Sequence, residues 1–356
     1  MNITYIVEDY SENGGVERII SMKANMFSKQ YQHQVTLISI YQDKRPMQYT
    51  LEDNVSFIQL QVPFAKKKGN KISKLYSRVH TLWLASYRLN KELKKINPDI
   101  IFFTTTLGAL LLPLCRTQAK KIYESHQARP FNPYHYMFGW MERKADTIVC
   151  LTEGDAKEFK HAKHVCVIPN FIDIPSNTVT DYRTKKAIAV GRLEKTKGFD
   201  RLIYCWKEIS TQYPDWQLDI YGEGSEHQTL QTLISQLQLD RQIRLCGRKE
   251  NMAEIYPNYS LHVMPSHHEG LPIVMIEAQS FGLPSITFDF KFGACDIIKN
   301  EKNGLIVKQD DTRSFISALK KMMSSELLRH DYGTAAQVMA KKYDKDVIFN
   351  QWLKLL

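Results

Sequence analysis

LHVMPSHHEGLPIVMIEAQSFGLPSITFD, residues 261–289, carries a strand, a helix and a second strand in one short stretch. LHVMPS (261–266) is an apolar run of strand length, bounded by Pro265 and polar residues. Pro272 suits a first helical position, where its missing N–H costs nothing. The apolar pattern over 272–281 predicts a helix that Gly282 and Pro284 bring to an end. PSITFD (284–289) then reads as the next strand. A strand, a helix and a strand joined this closely form a parallel pair with a crossover, and that decides for an α/β sheet.

The same alternation continues on both sides. Before it come AIAVGRL (187–193), a helix over 198–212, WQLDIYG (216–222), a helix over 225–238 and IRLCG (243–247); after it comes GLIV (304–307). Further upstream, ITYIVE (3–8), QVTLISI (34–40), DIIFFT (99–104), KKIYES (120–125) and TIVCLT (147–152) read as strands, with helical patterns over 16–28 and 72–96. Residues 175–186 are polar and read as a linker, and residues 336–356 read as a final helix with Trp352 near its end. Two doubly wound domains with parallel sheets are expected: residues 1–170, residues 171–338, and a terminal helix over 339–356. Ligands of such sheets bind beyond the carboxyl ends of the strands, so the loops that follow strands are where chemistry is expected.

Composition fits this reading. Among 356 residues, 43% are hydrophobic and 24% charged, which suits globular domains and excludes a disordered chain. The six cysteines, at 115, 150, 166, 205, 246 and 295, show no CxxC spacing, so a zinc or redox motif is not expected. Cys150, Cys166 and Cys246 lie in apolar runs and are expected to be buried thiols, which suits a reducing compartment. The start, MNITYIVEDY, lacks a basic n-region and reads as a first strand. The apolar run 107–115 is too short to span a bilayer. The expected location is the cytoplasm. Net charge is +10, and residues 1–168 hold 24 Lys and Arg against 15 Asp and Glu, so nearly all of the excess lies in the first half. Residues 66–95 hold ten basic residues and the single acid Glu92, which suggests an anionic partner.

Four constellations carry candidate chemistry. Glu269 falls in the loop after LHVMPS and Glu277 falls within the following helix. A rise of roughly 7–8 Å from Pro272 to Glu277 would let the two carboxylates grip different hydroxyls of one elongated ligand. The amides of Gly270 and Leu271 at the helix start favour an anion. Glu277 in an apolar helix needs polar partners. In GRLEKTKG (191–198), Arg192 and Lys197 near a helix N-terminus can cradle a diphosphate without a metal. Gly14 and Gly15 after the first strand allow close backbone approach, but the pattern is not GxGxxG and no ribose-binding acid follows at the required distance. His126 lies just past KKIYES, with His267 and His268 as competitors.

In this order, these segments resemble glycosyltransferase family 4, retaining enzymes with two Rossmann-like domains facing a central cleft, the GT-B architecture. The resemblance spans nearly the whole chain. Its most specific part is Glu269…Glu277 within PSHHEGLPIVMIEAQSFGLP; GGVER, IPNFID (168–173), GRLEKTKGFD, YGEG (221–224) and NGLIV (303–307) add to it. It implies that Glu269 holds donor-sugar hydroxyls and Glu277 the ribose hydroxyls. Arg192 and Lys197 would neutralise the leaving diphosphate, and Gly15 would bring backbone near the phosphates. His126 would contact the donor sugar and stabilise the transition state. Gly222, Glu223 and the loop from Arg248 to Met252 would line the base and diphosphate region.

The resemblance implies a donor nucleotide-sugar, with UDP expected from family frequency, a glycan or lipid-linked acceptor, no nucleic acid, and no metal or other cofactor. No DxD motif is placed to hold a metal; Asp344 and Asp346 have the spacing but fall in the terminal helical stretch. The last helix is expected to return to the first domain, with Trp352 as its anchor or as an ordinary core residue. A nucleotide-sugar epimerase of the same architecture, a non-catalytic scaffolding subunit and a dehydrogenase are the competing readings. Lys66, Lys67, Lys68, Lys71, Lys74 and Arg78, interleaved with Ile72, Leu75, Tyr76, Val79, Leu82 and Trp83, suggest docking on an anionic membrane surface. The same pattern also suits a solvated basic face whose apolar stripe packs on the sheet.

Overall fold

The computed structural model describes residues 1–12, 14–41, 46–47, 49–65, 70–132, 134–175 and 180–356. Of the basic cluster, Lys66, Lys67 and Lys68 lie outside the described residues. The chain divides into two compact units, Met1–Ile168 with Leu355–Leu356, and Pro169–Lys354.

The first unit is built on seven strands: β1 (Asn2–Val7), β2 (Gln34–Tyr41), β3 (Val55–Val62), β4 (Ile100–Thr104), β5 (Lys120–Ser125), β6 (Thr147–Cys150) and β7 (Val165–Val167). They pair in parallel in the order β3-β2-β1-β4-β5-β6-β7. The second unit has six: β8 (Lys186–Val190), β9 (Gln217–Tyr221), β10 (Ile243–Leu245), β11 (Leu261–Met264), β12 (Ser285–Phe288) and β13 (Gly304–Val307). Their order, β10-β9-β8-β11-β12-β13, is again parallel throughout. Both sheets reverse direction beside their first strand, the doubly wound Rossmann arrangement.

A parallel sheet with helices on both faces must be apolar on both faces. In the second unit, Ala187 and Ala189 face a core built with Trp206, Phe315 and Leu319. Ile188, between them, faces the other layer with Tyr256, Ala278 and Leu283. In the first unit, Ile6, Ile38, Phe103 and Ile148 pack with Leu89 and Leu93 of helix Lys71–Ile96.

The structure differs from the sequence reading at several points. The sequence reading assigns no strand to β3 or β7; β3 is the edge of its sheet, where exposed and half-buried positions interrupt the apolar run. Pro272 precedes the helix, with extended backbone, and the helix runs Ile273–Ser280. Residues 336–356 are not one helix. Helix Glu326–Ala340 ends in a tight turn at Lys341–Tyr343, and helix Lys345–Leu355 follows. The described end of the polar segment is anchored rather than a free linker: Thr180 Oγ1 donates to Phe281 O at 2.5 Å and Tyr182 Oη to Gly282 O at 2.9 Å. Cys150 is buried as expected, but Cys166 and Cys246 are only partly buried; all six cysteines are free thiols.

Candidate active site

The reversal of strand order in the second unit falls between β8 and β11, which lie side by side. Two loops leave the sheet at this point, residues 191–198 after β8 and residues 265–272 after β11. This is the crevice where doubly wound sheets bind ligands.

Backbone contacts lock these loops to their neighbours. Gly191 N donates to Tyr221 O at 3.0 Å, Leu193 N to Glu223 O at 2.8 Å, and Gly222 N to Gly247 O at 3.0 Å, so the loops after β8, β9 and β10 form one connected rim. His267 N donates to Thr196 O at 3.0 Å, which joins the loop after β11 to the same rim. The approach is close enough to require glycine. Gly222 has φ +142°, and a Cβ there would lie 1.9 Å from Gly191 O. Gly198, at φ +65°, would place a Cβ 2.3 Å from Pro265 O. Arg201 ties the loops further, donating through Nε to Pro265 O and through Nη2 to Ser266 O, each at 2.6 Å, with its guanidinium stacked 3.9 Å from the Phe288 ring.

These loops bring Lys197 and Glu269 together across 72 residues of sequence. Lys197 Nζ lies 2.7 Å from Glu269 Oε1 and 2.9 Å from Oε2, and Ser266 Oγ donates to Oε1 at 2.7 Å. Both side chains are mostly buried, so the pair is shielded from solvent screening. Charge-assisted bonds on both oxygens hold the carboxylate in one orientation. Glu277, half-buried on the following helix, accepts from Tyr256 Oη at 3.3 Å, and that hydroxyl is one of the partners its apolar helix calls for.

The other expected residues of this unit fall around the rim. Arg192 is exposed and pairs with Glu194 at 3.0 Å. Glu223 and Arg248 are exposed, Gly222 and Gly270 half-buried, and Leu271 buried. Met252 is half-buried and packs against Tyr256 and its neighbours. Of the competing histidines, His267 is half-exposed beside Asp310, and burial with Arg201 nearby pushes its imidazole below the ordinary value.

In the first unit, Gly15 opens helix Gly15–Lys29, the first helix after β1, and is exposed. His126 follows β5, and its Nε2 lies 3.0 Å from Glu124 Oε2. Glu124 in turn receives Lys23 Nζ at 2.6 Å on each oxygen. Glu124 and Lys23 were not singled out from sequence, although a signal was there. Glu124 shares a strand face with His126 by the period of two. Lys23 stands in phase with Ile19, Ile20 and Phe27, the buried stripe of its helix.

Among the described residues, no cluster of three or more His, Cys, Asp or Glu side chains could hold a metal ion, and no helix is long and apolar enough to cross a membrane. Asp344 precedes the last helix and Asp346 lies in its first turn.

Comparison with known proteins agrees with this layout. Residues 13–175 match the family described as Glycosyltransferase Family 4, and residues 172–339 match Glycosyl transferases group 1. With two Rossmann-like domains, the chain is a glycosyltransferase of the GT-B fold. Its relatives include glycosyltransferases of bacterial polysaccharide and glycoconjugate synthesis. An uncharacterized glycosyltransferase of Haemophilus influenzae is 26% identical over 99% of both chains. The amylovoran biosynthesis glycosyltransferase of Erwinia amylovora is 26% identical over 99% of this chain and 98% of its own. Among solved structures, a mutant of Staphylococcus aureus TarM in complex with fondaparinux, alpha-GlcNAc-glycerol and UDP superposes with a TM-score of 0.81 at 15% identity, covering 99% of each chain.

Proposed function

We propose that this chain is a retaining, metal-independent transferase of glycosyltransferase family 4 that moves a sugar from a UDP-sugar to a glycan or lipid-linked acceptor. The observation that carries the reading is the Glu269 carboxylate, fixed by Lys197 and Ser266 at the point where the second sheet reverses. A carboxylate held rigidly at a ligand crevice suits recognition of sugar hydroxyls, and the ammonium beside it suits a phosphate. UDP in the S. aureus TarM complex supports the choice of nucleotide.

In the proposed reaction, the bond between the anomeric carbon and the diphosphate oxygen breaks while the acceptor oxygen bonds to that carbon on the same face. The acceptor's proton passes to the departing diphosphate oxygen, so atoms and charge balance. Lys197 and Arg192 stabilise the charge that develops on the diphosphate, in place of a metal. Glu269 orients the sugar, Glu277 holds the ribose hydroxyls, and His126 contacts the donor sugar. The amides of Gly15, Gly270 and Leu271 approach the phosphates, and Gly222, Glu223, Arg248 and Met252 line the base and diphosphate region.

The acceptor is proposed to lie at an anionic membrane surface. In helix Lys71–Ile96, the first buried residue is Thr81. Before and beyond it, Ile72, Leu75, Tyr76, Val79, Trp83 and Tyr87 are all exposed, Ile72 by 79% and Tyr76 by 72%. At 100° per residue they form one stripe, and Lys71, Lys74 and Arg78 stand beside it. That stripe does not pack on the sheet, and it combines interfacial aromatics with cations that attract anionic lipid.

The test is nucleotide release. Release of UDP from a UDP-sugar that depends on a saccharide acceptor, and is lost in Glu269→Gln while UDP still binds, is the expected result. Turnover without any acceptor, or wild-type turnover in Glu269→Gln, would overturn the reading.

A further inference from the structure

Lys23 is a lysine with 1% of its side chain exposed, placed on the core-facing stripe of its helix, and Glu124 beneath it is 3% exposed. The ammonium lies 5.3 Å from the centre of the Tyr5 ring and 5.4 Å from that of Phe102. A buried pair of this kind is seldom more stable than the apolar residues that could replace it, so stability is a poor reason for its presence. Its third member offers another. Glu124 lies at the end of β5, accepts from Lys23 on both oxygens, and meets His126 Nε2 at 3.0 Å.

A carboxylate has no proton to give, so the imidazole must donate from Nε2. Nδ1 then carries the lone pair, and among the described residues it has no hydrogen-bond partner. A carboxylate alone would also draw a second proton onto the ring, because an imidazolium beside it is favoured. Lys23 already compensates the charge of that carboxylate.

We propose that Lys23, acting through Glu124, is a positioning residue that holds His126 as the neutral Nε2–H tautomer, with Nδ1 presented to accept from a ligand hydroxyl. The proposal rests on the reading in which His126 contacts the donor sugar, and it assigns the side of the ring that makes the contact. Burial works against the Glu124 carboxylate, yet the Lys23 ammonium and the hydrogen bonds from His126 and Lys23 hold it below its ordinary value. Burial pulls Lys23 down to about 8 against the attraction of Glu124. The other titratable groups facing Glu124 are Tyr5 on β1 and the Cys166 thiol on β7. Burial raises both, so both stay uncharged through neutral pH.

The experiment is ¹⁵N NMR of histidine-labelled full-length protein across pH, beside steady-state turnover and UDP binding, for wild type, Lys23→Met, and Lys23→Met with Glu124→Gln. Wild type is expected to show His126 neutral with its proton on Nε2 at pH 7. Lys23→Met leaves the carboxylate paired with His126 alone, so the ring's ¹⁵N shifts at pH 7 should move away from the neutral pattern, and kcat should fall about tenfold or more with UDP affinity unchanged. The double variant removes the unpaired buried charge and should recover thermal stability, but not the fixed tautomer or kcat. A wild-type proton on Nδ1 would overturn the proposal. So would a Lys23→Met protein, or, should that variant not fold, a double variant, with the wild-type ¹⁵N shifts and kcat. The NMR readout does not depend on activity. If it comes out as expected while His126→Ala turns over like wild type, the positioning stands and the donor-sugar contact falls.

Discussion

His262 sits in the middle of β11, the strand that delivers Glu269 to its loop. Its ring is fully buried. Nδ1 lies 3.1 Å from Ser285 Oγ on β12, and Nε2 has no partner among the described residues. Burial lowers its pKa to about 3, against an ordinary value of 6.5. The unfolded chain therefore takes up a proton as pH falls through 6.5, while the folded chain resists doing so until about 3. The stability linked to this group is complete above pH 6.5 and is lost as pH falls toward 3. From these two midpoints the loss reaches about 3 kcal/mol by pH 4 and roughly 4–5 kcal/mol at its limit. Replacing both partners, His262→Leu with Ser285→Ala, removes the titrating ring and its orphaned nitrogen together, and such paired replacements cost little. Urea unfolding followed by tryptophan fluorescence at pH 7, 6, 5 and 4 measures the difference. The double variant should match wild type near neutral pH within about 1 kcal/mol and outlast it by about 3 kcal/mol at pH 4. Parallel acid limbs for the two proteins would show that burial of His262 does not govern this loss.

Three further outcomes are expected. Gly222→Ala forces a Cβ to within 1.9 Å of Gly191 O at a left-handed backbone position. Parting of the two loops should cost about 1–3 kcal/mol of stability and weaken UDP binding; a variant with wild-type melting temperature and UDP affinity would show that the rim yields without consequence. Activity should survive EDTA, because Lys197 and Arg192 supply the charge a metal would bring, and loss on chelation with recovery on adding Mg²⁺ or Mn²⁺ refutes this. The protein should co-sediment with anionic vesicles at low salt and be released at high salt, while Ile72→Ser with Trp83→Ser stays in the supernatant; a wild-type protein that also stays there would place the acceptor in solution, and a concentration-dependent dimer lost in the double variant would make the stripe an interface between two copies.

The sheets were largely legible because each central strand is a short apolar run closed by turn residues, and because helices with a period near 3.6 separate them. What failed was local. VSFIQLQV, β3, is an edge strand broken by Ser56, Gln59 and Gln61, and lacks the continuous apolar signal of its neighbours. Residues 336–356 kept a helical pattern through Lys341–Tyr343, where the chain tightens and starts a new helix. The expected site residues could be named from the sequence, but the bonds between them could not. Glu269 and Lys197 could each be placed after a strand. Their ion pair follows only from β8 and β11 being neighbours, a fact of strand order to which no local pattern points. Lys23 shows the opposite failure. It lies in plain view as a charged residue on a buried stripe, and the helix reading absorbed it, because periodicity tolerates one exception. A charge at a core position is costly enough that it must find a partner, and asking which acid could reach it leads across the sheet to Glu124, and through Glu124 to His126.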